Sequence, residues 1–209
     1  MSHPFQVICF CEDIAHERFI TALIQRAAAE EHVKVHIKVL NATHGSRVWP
    51  EFRQYVRELQ ARIQPLPDVL VAVMDGNCKK ASQVRRDIER EVKQAGLAIP
   101  HLVCAVPDPH IERWYLEDQK ALKGVLPKAQ PEKIGYKCER DRYKQALVEA
   151  IRAAEVEPLL GGAEYGEDIA RALDPSRLDQ SFQSFWQGLR RAFRQLSGGQ
   201  KEAGHLQHS

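Results

Sequence analysis

The chain has 209 residues, 44% of them hydrophobic and 28% charged, which is the make-up of a globular protein with one sizeable core. A formal net charge of +2 excludes binding to nucleic acid by bulk charge alone, so any basic surface must come from local clustering. No apolar run approaches the roughly 20 residues of a membrane span, and Pro4, Glu12 and Asp13 interrupt the start where a signal peptide would run. The expectation is a cytoplasmic protein with no membrane partner.

Phe5 to Cys11 reads as a first strand, followed at once by Glu12 and Asp13. From Ile14 to Glu31, Phe19, Ile20, Leu23, Ile24 and Ala27 recur at helical spacing. Val33 to Leu40 alternates Val33, Val35, Ile37 and Val39 with Lys34, His36 and Lys38, a second strand with one wetter face near a sheet edge. After a loop over 41–46, Val48, Phe52, Tyr55, Val56 and Leu59 mark a helix to about Ile63, stopped by Pro65 and Pro67. The third strand, 68–75, is apolar without a break from Val69 to Met74, as suits a strand buried on both faces of a parallel sheet. It ends in Asp75-Gly76-Asn77. Lys79 to Ala95 is a charged helix with a thin seam at Val84, Ile88 and Val92, capped by Gly96. A fourth strand at 99–106 closes in Pro107-Asp108-Pro109, and Ile111, Trp114, Tyr115 and Leu116 open the next helix.

Alternating strands and helices require parallel pairing with right-handed crossovers. The predicted fold is therefore a doubly wound, mainly parallel, four-stranded Rossmann-like α/β domain over residues 1–122. Residues 123–196 read as a helical extension packed on that domain. The extension begins with a polar loop carrying Lys128, Lys133 and Lys137, and a helix follows at 139–154 with Arg140, Arg142, Lys144 and Arg152. Gly161-Gly162 breaks the chain, Gly166 to Leu173 forms a short helix, and Asp174-Pro175 starts the last one. Phe182, Phe185, Trp186, Leu189 and Phe193 share one face of that helix and read as core rather than as a base-stacking surface. Residues 197–209, polar and glycine-rich, predict a flexible tail. The five cysteines, Cys9, Cys11, Cys78, Cys104 and Cys138, lack tight pair spacing. That argues against a disulfide framework and against zinc, and predicts buried thiols in a reducing compartment.

Ligands gather beyond the carboxyl ends of strands in open α/β sheets. Glu12 and Asp75 both stand there, after the first and third strands, which are neighbours in the common doubly wound order. Two acids brought together either raise a pKa or hold a cation. A divalent metal with oxygen ligands resolves the repulsion and activates water for phosphodiester cleavage. The alternative for Asp75 is a turn former or helix cap. Asp13 and Glu17 lie close enough to support the cluster. Glu112, in the first turn after the fourth strand, is either a site acid or one favoured by the helix dipole. His110 is either a proton carrier or a solvated loop histidine. The basic residues of 123–144, with Arg190, Arg191 and Arg194, either contact phosphate or form solvated faces. Neither a P-loop nor a dinucleotide fingerprint occurs.

This layout resembles the TOPRIM (topoisomerase–primase) domain, with a Glu after the first strand and Asp-x-Asp after the third. Here Glu12-Asp13 stands for the family's Glu-Gly, and Asp75-Gly76-Asn77 for Asp-x-Asp. The chain is most similar to small TOPRIM-like nucleases of bacterial and phage-defence neighbourhoods, related to the nuclease half of the overcoming-lysogenization-defect proteins. Their Glu-Gly-x-Thr-Glu-Glu-x-Phe opening is echoed from Glu12 to Phe19, and their Glu-x-Trp-Leu-Leu-x-Asp segment from Glu112 to Asp118. Tyr165 to Ala170 and the aromatic last helix resemble that group's C-terminal part. The resemblance implies a nuclease holding Mg²⁺ or Mn²⁺ on Glu12 and Asp75, with Asn77 as a further ligand and Glu112 catalytic. It implies nucleic acid as substrate, a separate ATPase subunit, and Lys133, Lys137 and Arg140 as phosphate contacts; oligomeric state is left open.

The departures have chemical content. Asp13 replaces a glycine, His16 stands where an acid is common, and Asn77 replaces the second Asp, removing charge from a hard-cation site. One metal rather than two follows, or a catalytically inactive TOPRIM-like binding subunit. A phosphorelay receiver-like signalling domain is the remaining alternative, since it too places acids after its first and third strands. It needs a Lys at the end of its last strand and a Ser or Thr after the fourth, and Val106-Pro107-Asp108 supplies neither.

Overall fold

The computed structural model describes residues 3–132, 134–136, 138–139 and 141–205, with side chains as far as residue 198. Four strands, β1 (Phe5–Cys11), β2 (Val35–Asn41), β3 (Val69–Val73) and β4 (His101–Ala105), form one all-parallel sheet in the order β2-β1-β3-β4. Cys9 lies beside Val39 on one flank and Val71 on the other, and Val71 in turn beside Val103. Every residue of β3 is buried, because it lies between two strands and is covered on both faces.

The strand residues divide by period two between those faces. Phe10, Leu70, Ala72 and Cys104 pack under α2 (Val48–Gln60) and α3 (Ala81–Gln94), against Phe52, Tyr55, Val56, Leu59, Val84, Ile88 and Val92. Val7, Cys9, Val69, Val71, Val73 and Val103 face α1 (Ile14–Glu30) and the C-terminal half of the chain. That half comprises α4 (Ile111–Glu117), α5 (Gln119–Val125), α6 (Arg142–Arg152), α7 (Gly166–Ala172) and α8 (Gln180–His205). The fold is a doubly wound α/β sheet with a C-terminal helical part, as the alternation of elements predicts.

The core, however, runs through residue 122 without a break. Trp114 is fully buried between Phe182, edge-on at 5.1 Å, and Phe185, stacked at 5.9 Å, and its indole N–H donates to the Ser181 hydroxyl at 3.1 Å. Leu147, Ile151, Phe182, Trp186 and Phe193 share one cluster with Val71 and Phe19. Charged groups close the seam: Arg26 donates to the Leu173 carbonyl at 2.7 Å, and Arg190 and Arg194 hold Glu31 at 2.6 and 3.1 Å. The helices after 122 form one wall of the common core. α8 also runs on to His205, where the composition predicts a tail from 197. A glycine costs only about 1 kcal/mol in a helix interior, too little by itself for the Gly198-Gly199 pair to end so long a helix.

The cysteines divide differently from the expectation. Cys9, Cys11 and Cys104 are buried thiols, the first two sharing one strand face with sulfurs 3.3 Å apart. Cys78 and Cys138, by contrast, are joined in a disulfide across 60 residues of sequence. Local spacing cannot reveal a pairing that the tertiary fold creates.

Because the Trp114 site is shared, Phe185→Ala is expected to lower stability by about 3–5 kcal/mol, in the range of large-to-small core substitutions. Urea denaturation followed by tryptophan fluorescence should show the shift as one cooperative transition. A separate early transition of residues 123–196 would contradict the single core.

Candidate functional site

Pairing of β1 with β3 brings the residues just past their carboxyl ends together. Glu12 follows β1 directly, and Asp75 lies two residues past the end of β3. The Asp75 N–H donates to Glu12 Oε2 at 3.0 Å, so the two acids are locked in register by a backbone bond. Asp13 caps α1, its Oδ1 accepting from the Ala15 and His16 N–H groups at 2.9 and 3.2 Å. That capping gives the acid after Glu12 a structural role: it satisfies orphan donors of the helix N-terminus.

His16, only 1% exposed, ties the acids together. Its Nδ1 lies 2.7 Å from Asp13 Oδ1 and its Nε2 2.9 Å from Asp75 Oδ1. The other Asp75 oxygen, Oδ2, is 3.1 Å from His110 Nδ1. With a carboxylate at each ring nitrogen, the imidazolium is the form of His16 that satisfies both as donors. Burial disfavours that charge, yet the neighbouring Asp75 charge and the bonds to Asp13 and Asp75 outweigh it and raise the pKa well above the usual histidine value. Asp75 is likewise desolvated, but the His16 charge and the bond from His110 hold its carboxyl below the usual range. Asp13, whose side chain is more than half exposed, is held down to about 2, its partial desolvation outweighed by the His16 bond and charge. Glu12 is pushed up by burial first and by the Asp75 charge second.

One donor atom each from Glu12, His16 and Asp75 lie within 4.8 Å of one another, the spacing of a site for a metal ion. Gly45, in the 3₁₀ turn Gly45–Arg47 after β2, passes directly over Glu12. A Cβ there would lie 2.8 Å from Glu12 Oε1. The missing side chain leaves that oxygen room.

The remaining residues singled out from the sequence fall around this centre in different ways. Glu17 accepts a hydrogen bond from the Asn41 side chain on β2. Asn77 is in the left-handed region at φ 47°; its N–H donates to the Pro109 carbonyl at 3.1 Å, and its exposed amide contacts the Asp75 carbonyl at 3.5 Å. Glu112 is in the first turn of α4, its carboxyl pushed up by burial and then by the Asp75 charge, so it senses the cluster without belonging to the three-residue group. His110 has its pKa raised by its bond to Asp75, in line with a role at the site rather than that of a solvated loop residue. Lys133, Lys137 and Arg140, the expected phosphate contacts, lie outside the described residues.

His16 is the residue whose role the sequence pattern understates. Its signal is positional: 16, 19, 20 and 23 are one helical stripe, so a polar residue at 16 must be buried with Phe19, Ile20 and Leu23. A buried histidine one turn past two acids needs acidic partners.

A family model described as a domain of unknown function (DUF4276) matches residues 11–190 of the chain. The chain belongs to the DUF4276 family. No curated protein and no solved structure gives a significant match. The stretch matched by the DUF4276 model includes Glu12, Asp13, His16, Gly45, Asp75, His110 and Glu112, and also the α4–α8 wall as far as Arg190.

The charge network has a signed pH dependence. His16 has a folded pKa above that of a free imidazole, so its stabilisation is complete below about pH 6.5 and is lost as pH rises through the folded value. Asp13 and Asp75 have lowered folded values, so theirs is complete above about pH 4 and is lost as pH falls through them. The melting-temperature gap between wild type and His16→Gln is therefore expected to be widest at about pH 4–6.5 and to narrow toward alkaline pH. Thermal melts across pH in chelator-treated buffer measure it, and a gap that widens with rising pH would contradict the bridged imidazolium.

Proposed function

We propose that this DUF4276 protein is a metal-dependent phosphodiesterase acting on nucleic acid, with one divalent cation held by Glu12, His16 and Asp75. The observation that carries this reading is the convergence of those three donors at the carboxyl edge of the sheet. Two details make the donor set fit a cation. Gly45 leaves Glu12 Oε1 uncrowded, and Asp13 occupies His16 Nδ1, which orients Nε2 toward the centre as a ligand-supporting carboxylate does. An imidazole beside two carboxylates favours Mn²⁺ over Mg²⁺, which prefers an all-oxygen set. When bound, such an ion supplies a Lewis acid for the phosphoryl oxygens and acidifies a water.

The chain's own groups divide the remaining work. Glu12 and Asp75 bring the negative charge that fixes the cation. His110, oriented by Asp75 Oδ2 through Nδ1, presents Nε2 as the proton-carrying atom. Glu112, its carboxyl pushed up by burial and then by the Asp75 charge, is the acid at the same edge assigned to serve a leaving oxygen. Asn77 contributes no charge and its amide is turned to the Asp75 carbonyl, in keeping with one cation rather than two. The similarity of the Glu12–Phe19 and Glu112–Asp118 segments to TOPRIM-like nucleases of defence neighbourhoods supports the same reaction class. It also brings a separate ATPase subunit into the proposal. A receiver-like phosphoacceptor role fits less well, since both Asp75 oxygens are engaged by histidines and the side chain is only 10% exposed.

Mn²⁺ is expected to raise the melting temperature of the wild type and to support cleavage of DNA or RNA. Glu12→Gln and Asp75→Asn should lose both effects. Asp13→Asn should bind Mn²⁺ about 10–100-fold more weakly, the usual cost of an orienting partner. Gly45→Ala should weaken binding through crowding at Glu12. Calorimetric titration with Mn²⁺ beside a nuclease assay decides. An unchanged Mn²⁺-induced stabilisation in Asp75→Asn refutes the site.

A further inference from the structure

The loop leaving Asp75 is held from two sides. Toward the interior, the Gly76 and Asn77 N–H groups donate to the Pro107 and Pro109 carbonyls at 2.8 and 3.1 Å. Toward solvent, Cys78 is bonded to Cys138, on the segment between α5 and α6. That segment is itself anchored beside the site. The Tyr136 hydroxyl donates to Asp108 Oδ1 at 3.0 Å, the Arg113 guanidinium lies 5.4 Å from the Tyr136 ring, and Ile134 packs on the main core. Between these two holds, Asn77 and Cys78 are consecutive non-glycine residues in the left-handed region, at φ 47° and 65°. Side chains disfavour that conformation, and it persists only where the surroundings impose it. The exposed Cys78 contrasts with Cys9, Cys11 and Cys104, which are buried.

We propose that the Cys78–Cys138 bond is a redox-operated clamp that keeps the β3–α3 loop, and with it Asp75, in its binding arrangement, and that a dithiol reductant opens it. The exchange balances without any other reagent. One thiolate of the dithiol attacks a sulfur of the pair and forms a mixed disulfide. The second thiol of the reductant then displaces the protein sulfur. Cys78 and Cys138 end as two thiols, and the dithiol, having supplied two electrons and two protons, ends as a disulfide. Exposure of Cys78 makes this pair the accessible one. Once released, residues 77 and 78 are free to leave the left-handed region, and the loop that carries Asp75 relaxes. The clamp regulates the cation site proposed above; its effect on binding rests on that site, whereas the clamp itself rests on the Cys78–Cys138 bond.

The test compares air-oxidised wild type, the same protein after dithiothreitol, and the Cys78→Ser/Cys138→Ser variant. Alkylation of the denatured, oxidised protein should label Cys9, Cys11 and Cys104 only, and labelling of all five refutes the clamp. Amide hydrogen exchange over residues 74–80 should quicken on reduction and in the variant, which should no longer respond to dithiothreitol. Equal exchange in all three refutes the clamp. Mn²⁺ affinity should fall roughly five-fold on reduction, as expected when a conformation disfavoured for L side chains is released. An unchanged affinity with quickened exchange overturns the coupling to the site. Absence of Mn²⁺ binding in every form counts against the cation reading, while the exchange data still decide the clamp.

Discussion

A buried imidazole lies between two carboxylates, and the arrangement of the sheet edge depends on it. Glu12 and Asp75 are drawn within 4.8 Å of each other by the β1–β3 pairing, and Asp13 stands on the far side of His16 at the start of the helix that follows β1. Without a positive partner, such a cluster would carry repulsion into a region of low dielectric, where it is costly. His16 supplies that partner from the buried stripe of α1, meeting Asp13 through one nitrogen and Asp75 through the other. One imidazolium thereby offsets part of the negative charge of the apo site. In the proposed cation complex, His16 would give up its proton and serve as a ligand, the metal taking over the positive charge it supplies.

The helical wall after residue 122 holds this edge from behind. α4 carries Glu112 and follows directly on His110, and its own position is set by Trp114 between Phe182 and Phe185. Tyr115 on the next position donates to the Ala15 carbonyl in the first turn of α1, linking the two elements that carry His16 and Glu112. Gly166 permits that contact, since a Cβ there would collide with the Tyr115 hydroxyl. The aromatic stripe of α8 thus acts on the site at second hand, by fixing the helix whose N-terminal end faces Asp75.

Buried acids elsewhere in the chain show what a structural arrangement looks like by comparison. Asp118 is as buried as His16, yet it accepts from the Lys120, Ala121 and Asp174 N–H groups and from Arg177, which satisfies it with donors. It caps α5 and fastens the turn before α8. At the sheet edge, by contrast, Asp13 and Asp75 share His16, Asp75 also meets His110, and among the described residues Glu12 accepts only the Asp75 N–H. Titratable groups that partner one another and shift one another's pKa mark a functional site more often than a carboxylate held by backbone donors.

Much of this was written into the order of residues. The unbroken apolar run Val69–Met74, the alternation at Val33–Leu40 and the helical spacing between them determine a parallel doubly wound sheet, because each period matches only one way of burying its face. The same order puts Glu12 and Asp75 after neighbouring strands, so their meeting was legible before any coordinates. The aromatic face from Phe182 to Phe193 likewise declared itself as core. The tertiary structure alone decided the rest. Which side chain neutralises the acids depends on the rotation of α1 about its axis, and that is set by packing of Phe19 and Leu23 rather than by the residues near Glu12. The closeness of Gly45 to Glu12 depends on how the loop after β2 folds back over the edge. The Cys78–Cys138 bond joins positions 60 apart, and no local spacing specifies such a pair. Local periodicity determines elements, and long-range packing determines which of their side chains meet.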